Sequence, residues 1–149
     1  MRYARCTVLI VVVASVVGCG ASSDPNNAPV SGKVTLNDQP AGMCELTYIP
    51  QGDTKGNGGK GLTDSTGRYE IRSLQGKPGI AVGSYKVVVN RRLNPDGTPP
   101  KPDESPIESQ ARETLPPTYS SADRTTLTVV VPAGGTKTAD FALKAAVKK

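Results

Sequence analysis

An all-β domain built from short strands is what this 149-residue chain predicts, on three observations. Glycine and proline total 29 residues (16 and 13), a composition that interrupts helices and supplies turns. Tryptophan and histidine are absent and phenylalanine occurs once, so a core must be filled by aliphatic residues and tyrosine. Beyond residue 29, apolar residues recur with period two, the spacing of half-buried strands. The length suits one ordinary domain with a margin for segments outside it.

The first segment, residues 1–18, reads as a lipoprotein signal. Arg2 and Arg5 give it a basic start, and Thr7 to Val17 (TVLIVVVASVV) an apolar run of eleven. A transmembrane helix needs about 20 such residues, so the run is too short to span a bilayer. It ends in Val16-Val17-Gly18-Cys19, which resembles the bacterial lipobox: an aliphatic residue three positions before cysteine and a small one immediately before it. That resemblance implies cleavage before Cys19, a diacylglyceryl thioether on its sulfur and acylation of the new amino terminus. At about 0.8 kcal/mol per buried methylene, two or three acyl chains anchor a protein stably where one does not. The cysteine count agrees: Cys6 leaves with the signal, Cys19 is consumed, and Cys44 alone remains, so the mature chain has no internal disulfide. The formal charge of +5 falls to +3 without Arg2 and Arg5, too little to imply nucleic acid.

Residues 19–29 are expected to be the lipidated cysteine and a disordered tether, since Gly20 to Pro29 (GASSDPNNAP) holds nothing aliphatic larger than alanine. The domain is expected over 30–144, with 145–149 a basic tail. In VSGKVTL, Val30, Gly32, Val34 and Leu36 share one face, and Asn37-Asp38-Gln39-Pro40 marks a turn. MCELTYIP puts Cys44, Leu46 and Tyr48 inward and Glu45 and Thr47 outward, which makes Cys44 a small core residue with no histidine to activate it. Gln51 to Lys60 (QGDTKGNGGK) reads as a mobile loop without the Gly-Lys-Ser/Thr ending of a phosphate cradle. Asp64-Ser65-Thr66-Gly67 is a turn between two short strands, with Asp64 accepting backbone amides and Gly67 supplying positive φ. A calcium role for Asp64 lacks the alternating ligands such a loop requires. SYKVVVN, residues 84–90, is a strand with Tyr85, Val87 and Val89 on one face. Arg91 to Pro117 contains seven of the thirteen prolines and is expected to be a long surface excursion, partly polyproline II. TLTVVV, Ala133-Gly134-Gly135 and TKTADFALK then predict a closing hairpin, with Ala139, Phe141 and Leu143 aligned.

PVSGKVTLNDQPAG, GLTDSTGRYEI, GSYKVVVNRR, LPPTYSS and LTVVVPAGGTKTADFAL, in that order, resemble the small secreted lipoproteins of planctomycete-type bacteria with a carboxypeptidase regulatory-like, or transthyretin-like, domain. The resemblance implies a prealbumin-like β-sandwich of about seven strands, serving as an accessory, structural or binding module without catalytic residues. Gly32, Asp64, Gly67, Tyr69, Gly83 and Tyr85 are read as fold-defining.

Hydroxyisourate hydrolases share the transthyretin architecture but use a histidine-containing site, and this chain has no histidine. That lack also removes Ser-His-Asp, Cys-His and histidine zinc systems. Glu45 with Glu70 is a conceivable carboxylate pair, but strand parity places Glu45 in solvent. Lys33 and Asp140 sit where pilin-type sandwiches form a covalent cross-link, yet parity points both outward. The expectation is therefore a non-enzymatic protein, with no catalytic, cofactor-binding or metal residues, lipidated at Cys19. It would be anchored to a membrane of the cell envelope, with Gly20 favouring the outer one. Its partner would be an envelope protein or polysaccharide, recognised through 91–117, or its role would be that of a purely structural spacer.

Overall fold

The computed structural model describes residues 27–145 other than 102 and 106. The signal, Cys19 and residues 146–149 lie outside the described residues. The strands in chain order are β1 (Asn27–Ala28), β2 (Ser31–Leu36), β3 (Gln39–Pro40), β4 (Glu45–Gln51), β5 (Gly59–Leu62), β6 (Arg68–Glu70) and β7 (Arg72–Ser73). They continue with β8 (Ile80–Ala81), β9 (Gly83–Asn90), β10 (Arg92–Leu93) and β11 (Arg112–Glu113). A single helical turn, α1 (Pro117–Ser120), precedes β12 (Thr128–Val131) and β13 (Phe141–Leu143). Among the described residues, thirteen strands form, more than the roughly seven expected, and seven of them run three residues or more.

Two principal sheets carry the fold, which is all-β and sandwich-like. One is antiparallel in the order β12-β9-β4-β5-β7. The other centres on β2, which pairs in parallel with β13, the last strand, and antiparallel with both β3 and β6. Their facing sides form one core: Val34, Tyr69, Phe141 and Leu143 from the β2 sheet meet Leu46, Tyr48, Tyr85, Val87 and Val131 from the other. Period-two alternation is why these residues face inward together, and Cys44 joins them, fully buried as parity predicts. The Tyr48 and Tyr85 rings pack 5.9 Å apart at a tilt of 55°, a favourable edge-inclined geometry.

Local chemistry accounts for the tight turns. Asn37 and Asp38 both have positive φ (51° and 66°), the requirement of a two-residue hairpin loop that asparagine and aspartate tolerate. Asp64 Oδ1 accepts Thr66 N at 2.8 Å, Thr66 Oγ1 at 2.7 Å and Arg68 N at 3.0 Å, and Gly67 takes φ 77°. Turn and Asp64 acceptor role are as the sequence predicts, but the flanking strands β5 and β6 belong to different sheets, so the turn passes the chain across the sandwich.

Four expectations are corrected. Residues 27–29, assigned to the tether, are ordered into the fold, because Asn27–Ala28 pairs with Ala81 and Ile80 and buries Ala28. The Gln51–Lys60 stretch is a shorter turn than expected, since Gln51 belongs to β4 and Gly59 and Lys60 to β5. Gly58 and Gly59 are buried there, and a side chain at Gly59 would strike Ile80 and Ile71. The predicted closing hairpin does not form: β12 pairs with β9 and β13 with β2. The Ala133-Gly134-Gly135 turn instead docks on the segment just before β2, with Thr136 N donating to Pro29 O at 2.8 Å, and so carries the chain between sheets. Ala145, assigned to the tail, is held by reciprocal bonds with the Asn37 side chain at 3.0 and 3.1 Å.

Candidate functional site

Leaving β9, the chain enters the Pro-rich segment and forms an arm rather than an open excursion. Leu93 pairs with Arg112 and Arg92 with Glu113, closing 94–111 as the tip of a two-stranded ribbon. The Glu113 carboxylate fastens its base: it accepts Arg91 N at 3.0 Å, Asn90 Nδ2 at 2.9 Å and Leu115 N at 2.8 Å. Thr114 adds two bonds to Arg91 O, from its amide at 3.0 Å and its hydroxyl at 2.8 Å. Arg91 Nε reaches across to Gly42 O at 3.1 Å, tying the arm to the β3–β4 connection. An ionised acceptor taking several donors makes charge-assisted bonds, the strong kind, so this base is firmly placed.

The return limb packs as core. Leu115 is buried and Tyr119 lies against the central cluster, its hydroxyl accepting Lys144 N at 3.2 Å. Lys86 Nζ and Asn90 Nδ2 donate to the carbonyls of Ala122 and Ser120 on the same limb. Val88, on the outward face of β9 by parity, is only 7 % exposed, and α1 packs against this strand.

At the tip, Asp96 caps the Asn94–Thr98 turn by accepting Thr98 N at 2.9 Å and Thr98 Oγ1 at 2.6 Å. The hydroxyl bond is the main reason its carboxyl is held below the usual aspartate range. Asn94, Asp96, Lys101, Asp103, Glu104 and Glu108 line a shallow concavity there, and Ile107 stands 96 % exposed beside it. The tip thus offers carboxylates and the exposed Ile107 side chain on a fixed base.

Of the other residues singled out by the sequence, Glu45 and Glu70 line one surface concavity with Lys60 and Arg72, and Lys33, Asp64 and Asp140 line a second. Cys44 N donates to Thr63 Oγ1 at 2.8 Å, and burial pushes the Cys44 thiol up, away from the reactive thiolate. Glu45 is ion-paired with Lys60 at 2.7 Å at the surface. Asp140 Oδ1 accepts the Lys33 backbone amide at 2.7 Å, so its carboxylate serves the junction of β2 with the incoming β13 segment. Among the described residues no group of three or more His, Cys, Asp or Glu could hold a metal ion. Sequence reasoning missed Glu113 and Leu115. Their local signal is an acid and a leucine, two residues apart, near the end of a largely polar, Pro-rich stretch.

Family models, curated proteins and solved structures were all searched, and none matches this chain.

Proposed function

We propose that this protein is a lipid-anchored, non-enzymatic component of the cell envelope. Its transthyretin-like, or carboxypeptidase regulatory-like, sandwich displays the 91–117 arm to an envelope protein or polysaccharide. The carrying observation is the Val16-Val17-Gly18-Cys19 box at the end of an eleven-residue apolar run. The arm supports the display reading, because it has a hydrogen-bonded base and an exposed tip, and a rigid scaffold bearing a projecting loop is how binding surfaces are commonly built.

Two outcomes are expected. Intact mass and radiolabelled acyl incorporation on the native protein should show a chain beginning at acylated Cys19, and the Cys19→Ser variant should carry no label. A native chain retaining Met1 and no acyl group would overturn the anchoring. Replacing 94–111 by Asn-Gly, a two-residue loop suited to joining Leu93 to Arg112, should leave the sandwich folded. It should also abolish saturable crosslinking to an envelope partner. Unchanged saturable crosslinking would remove the arm as the recognition element, and no saturation in either form would favour the spacer role.

A further inference from the structure

We propose that the arm tip presents Thr98 to Lys101 (Thr-Pro-Pro-Lys) as a preformed polyproline II ligand for an envelope protein whose recognition groove is lined by aromatic side chains. This rests on the display reading above and narrows the partner to one class. The conformation follows from covalent sterics. Proline fixes φ at about −65°, and a residue that precedes proline is pushed out of the helical region into extended or polyproline II backbone. Thr98 and Pro99 each precede a proline, Pro100 is one, and Lys101 precedes Pro102 in the sequence, so all four are restricted. In the fold, 98–101 form no helix, turn or strand. Four such residues make a rod of about 12 Å.

Both ends of the rod are held. On one side Thr98 O accepts Asn94 N at 2.8 Å, Thr98 N and Oγ1 donate to Asp96 Oδ1 at 2.9 and 2.6 Å, and Asn94 Nδ2 donates to Pro99 O at 3.3 Å. On the other, Lys101 N donates to Glu104 Oε2 and Glu104 N to Lys101 O, both at 3.1 Å. The rod is therefore ordered before any partner arrives, and binding is spared the backbone entropy that a loose peptide loses. Polyproline II has three residues per turn, so Thr98 and Lys101 share one edge while the Pro99 and Pro100 rings form the other two. Pro99 is exposed and Pro100 half-buried. Neither has an N–H, and among the described residues Pro100 O accepts no hydrogen bond. The two prolines thus offer ring C–H surface and a carbonyl acceptor, with no donor. That set matches an aromatic groove, where tyrosine or tryptophan supplies both a ring face and an O–H or N–H donor. It does not match a polysaccharide, whose hydroxyls call for donors and acceptors side by side.

The test titrates the acylated full chain, held in lipid nanodiscs, onto envelope membranes. A photoreactive diazirine side chain stands at Ile107, which is 96 % exposed on the same tip. Saturable crosslinking should be competed away by free poly-L-proline of about ten residues, a bare polyproline II rod, and not by a Gly-Ser peptide of equal length. The Pro99→Ala/Pro100→Ala variant should raise the half-saturating concentration about tenfold or more. Pro95→Ala, in the preceding turn, should shift it by less than about twofold. Competition by poly-L-proline on the unaltered tip decides the matter even where a variant perturbs the arm. Crosslinking that saturates but resists poly-L-proline, or that lands on sugar, overturns the polyproline ligand and leaves the display role standing. Crosslinking that never saturates removes the display role, and the ligand with it.

Discussion

Gly32→Ala is expected to destabilise the domain by about 3 kcal/mol or more, while Gly134→Ala changes it by less than about 0.5 kcal/mol. Gly32 is the second residue of β2, opposite Tyr69, where the segment leading into β13 lies over the strand. A methyl on Gly32 would fall on the Ala139 carbonyl oxygen and 2.5 Å from its carbon. Both obstructing atoms are backbone, so no rotamer change relieves them, and the crossing segment must lift. Lifting it loosens two further bonds: Ala139 N to Ser31 O at 3.2 Å, and the Tyr69 hydroxyl to Ala139 O. Gly134 meets nothing within 4 Å and has no positive φ, so its methyl points into open space. Against a total stability of about 5–15 kcal/mol typical of a domain, the Gly32 loss should lower Tm by about 10 °C or more. Thermal unfolding followed by circular dichroism checks this, and equal melting of the two variants would refute the crossing.

The crossing at Gly32 also shows where the sequence could be read and where it could not. Strands whose inward residues alternate without interruption were legible: Val34 in β2, Leu46 and Tyr48 in β4, and Tyr85, Val87 and Val89 in β9 are all buried as parity requires. The Asp64–Gly67 turn was legible because its chemistry is local, an aspartate accepting from amides two and four residues ahead. Which strands become neighbours was not. Ala133-Gly134-Gly135 has the composition of a hairpin loop, yet Thr136 bonds to Pro29, more than a hundred residues earlier, and Phe141 pairs with Val34. Period two states which way a side chain faces and is silent on its sheet. The arm failed for a related reason. Its prolines signal an open excursion, whereas what closes it is one carboxylate, Glu113, taking donors from Asn90, Arg91 and Leu115. Cys19, on which the anchoring proposal turns, was legible only as a motif and lies outside the described residues.

Tyr69→Phe is expected to cost about 2–4 kcal/mol and Tyr48→Phe only about 1 kcal/mol, although the two hydroxyls touch each other. They sit 2.8 Å apart in the core, and Tyr69 donates its single proton to Ala139 O. The Tyr69 oxygen must therefore accept from Tyr48, making a directed chain from β4 through β6 to the segment before β13. Removing the first hydroxyl leaves Tyr69 still bonded to Ala139 and forfeits one net bond. Removing the middle one strands the buried Tyr48 hydroxyl and the Ala139 carbonyl together, each at a desolvation cost of about 1–3 kcal/mol. The double variant should then cost less than the sum of the singles, since a bare phenyl ring at position 48 needs no partner. Burial holds both phenols above their ordinary value, with the neighbouring Tyr48 adding to the rise at Tyr69. The folded chain thus keeps protons that the unfolded chain begins to release near pH 10. Their contribution to stability is whole below that pH and is lost as pH climbs toward the folded values, at up to about 1.4 kcal/mol per unit for each tyrosine. Denaturant unfolding of the wild type between about pH 9 and 12 should therefore steepen above about pH 10, and either Phe variant should show a shallower fall. Equal costs for the two single variants, or an alkaline slope that neither changes, would show that the hydroxyl chain does not join the sheets.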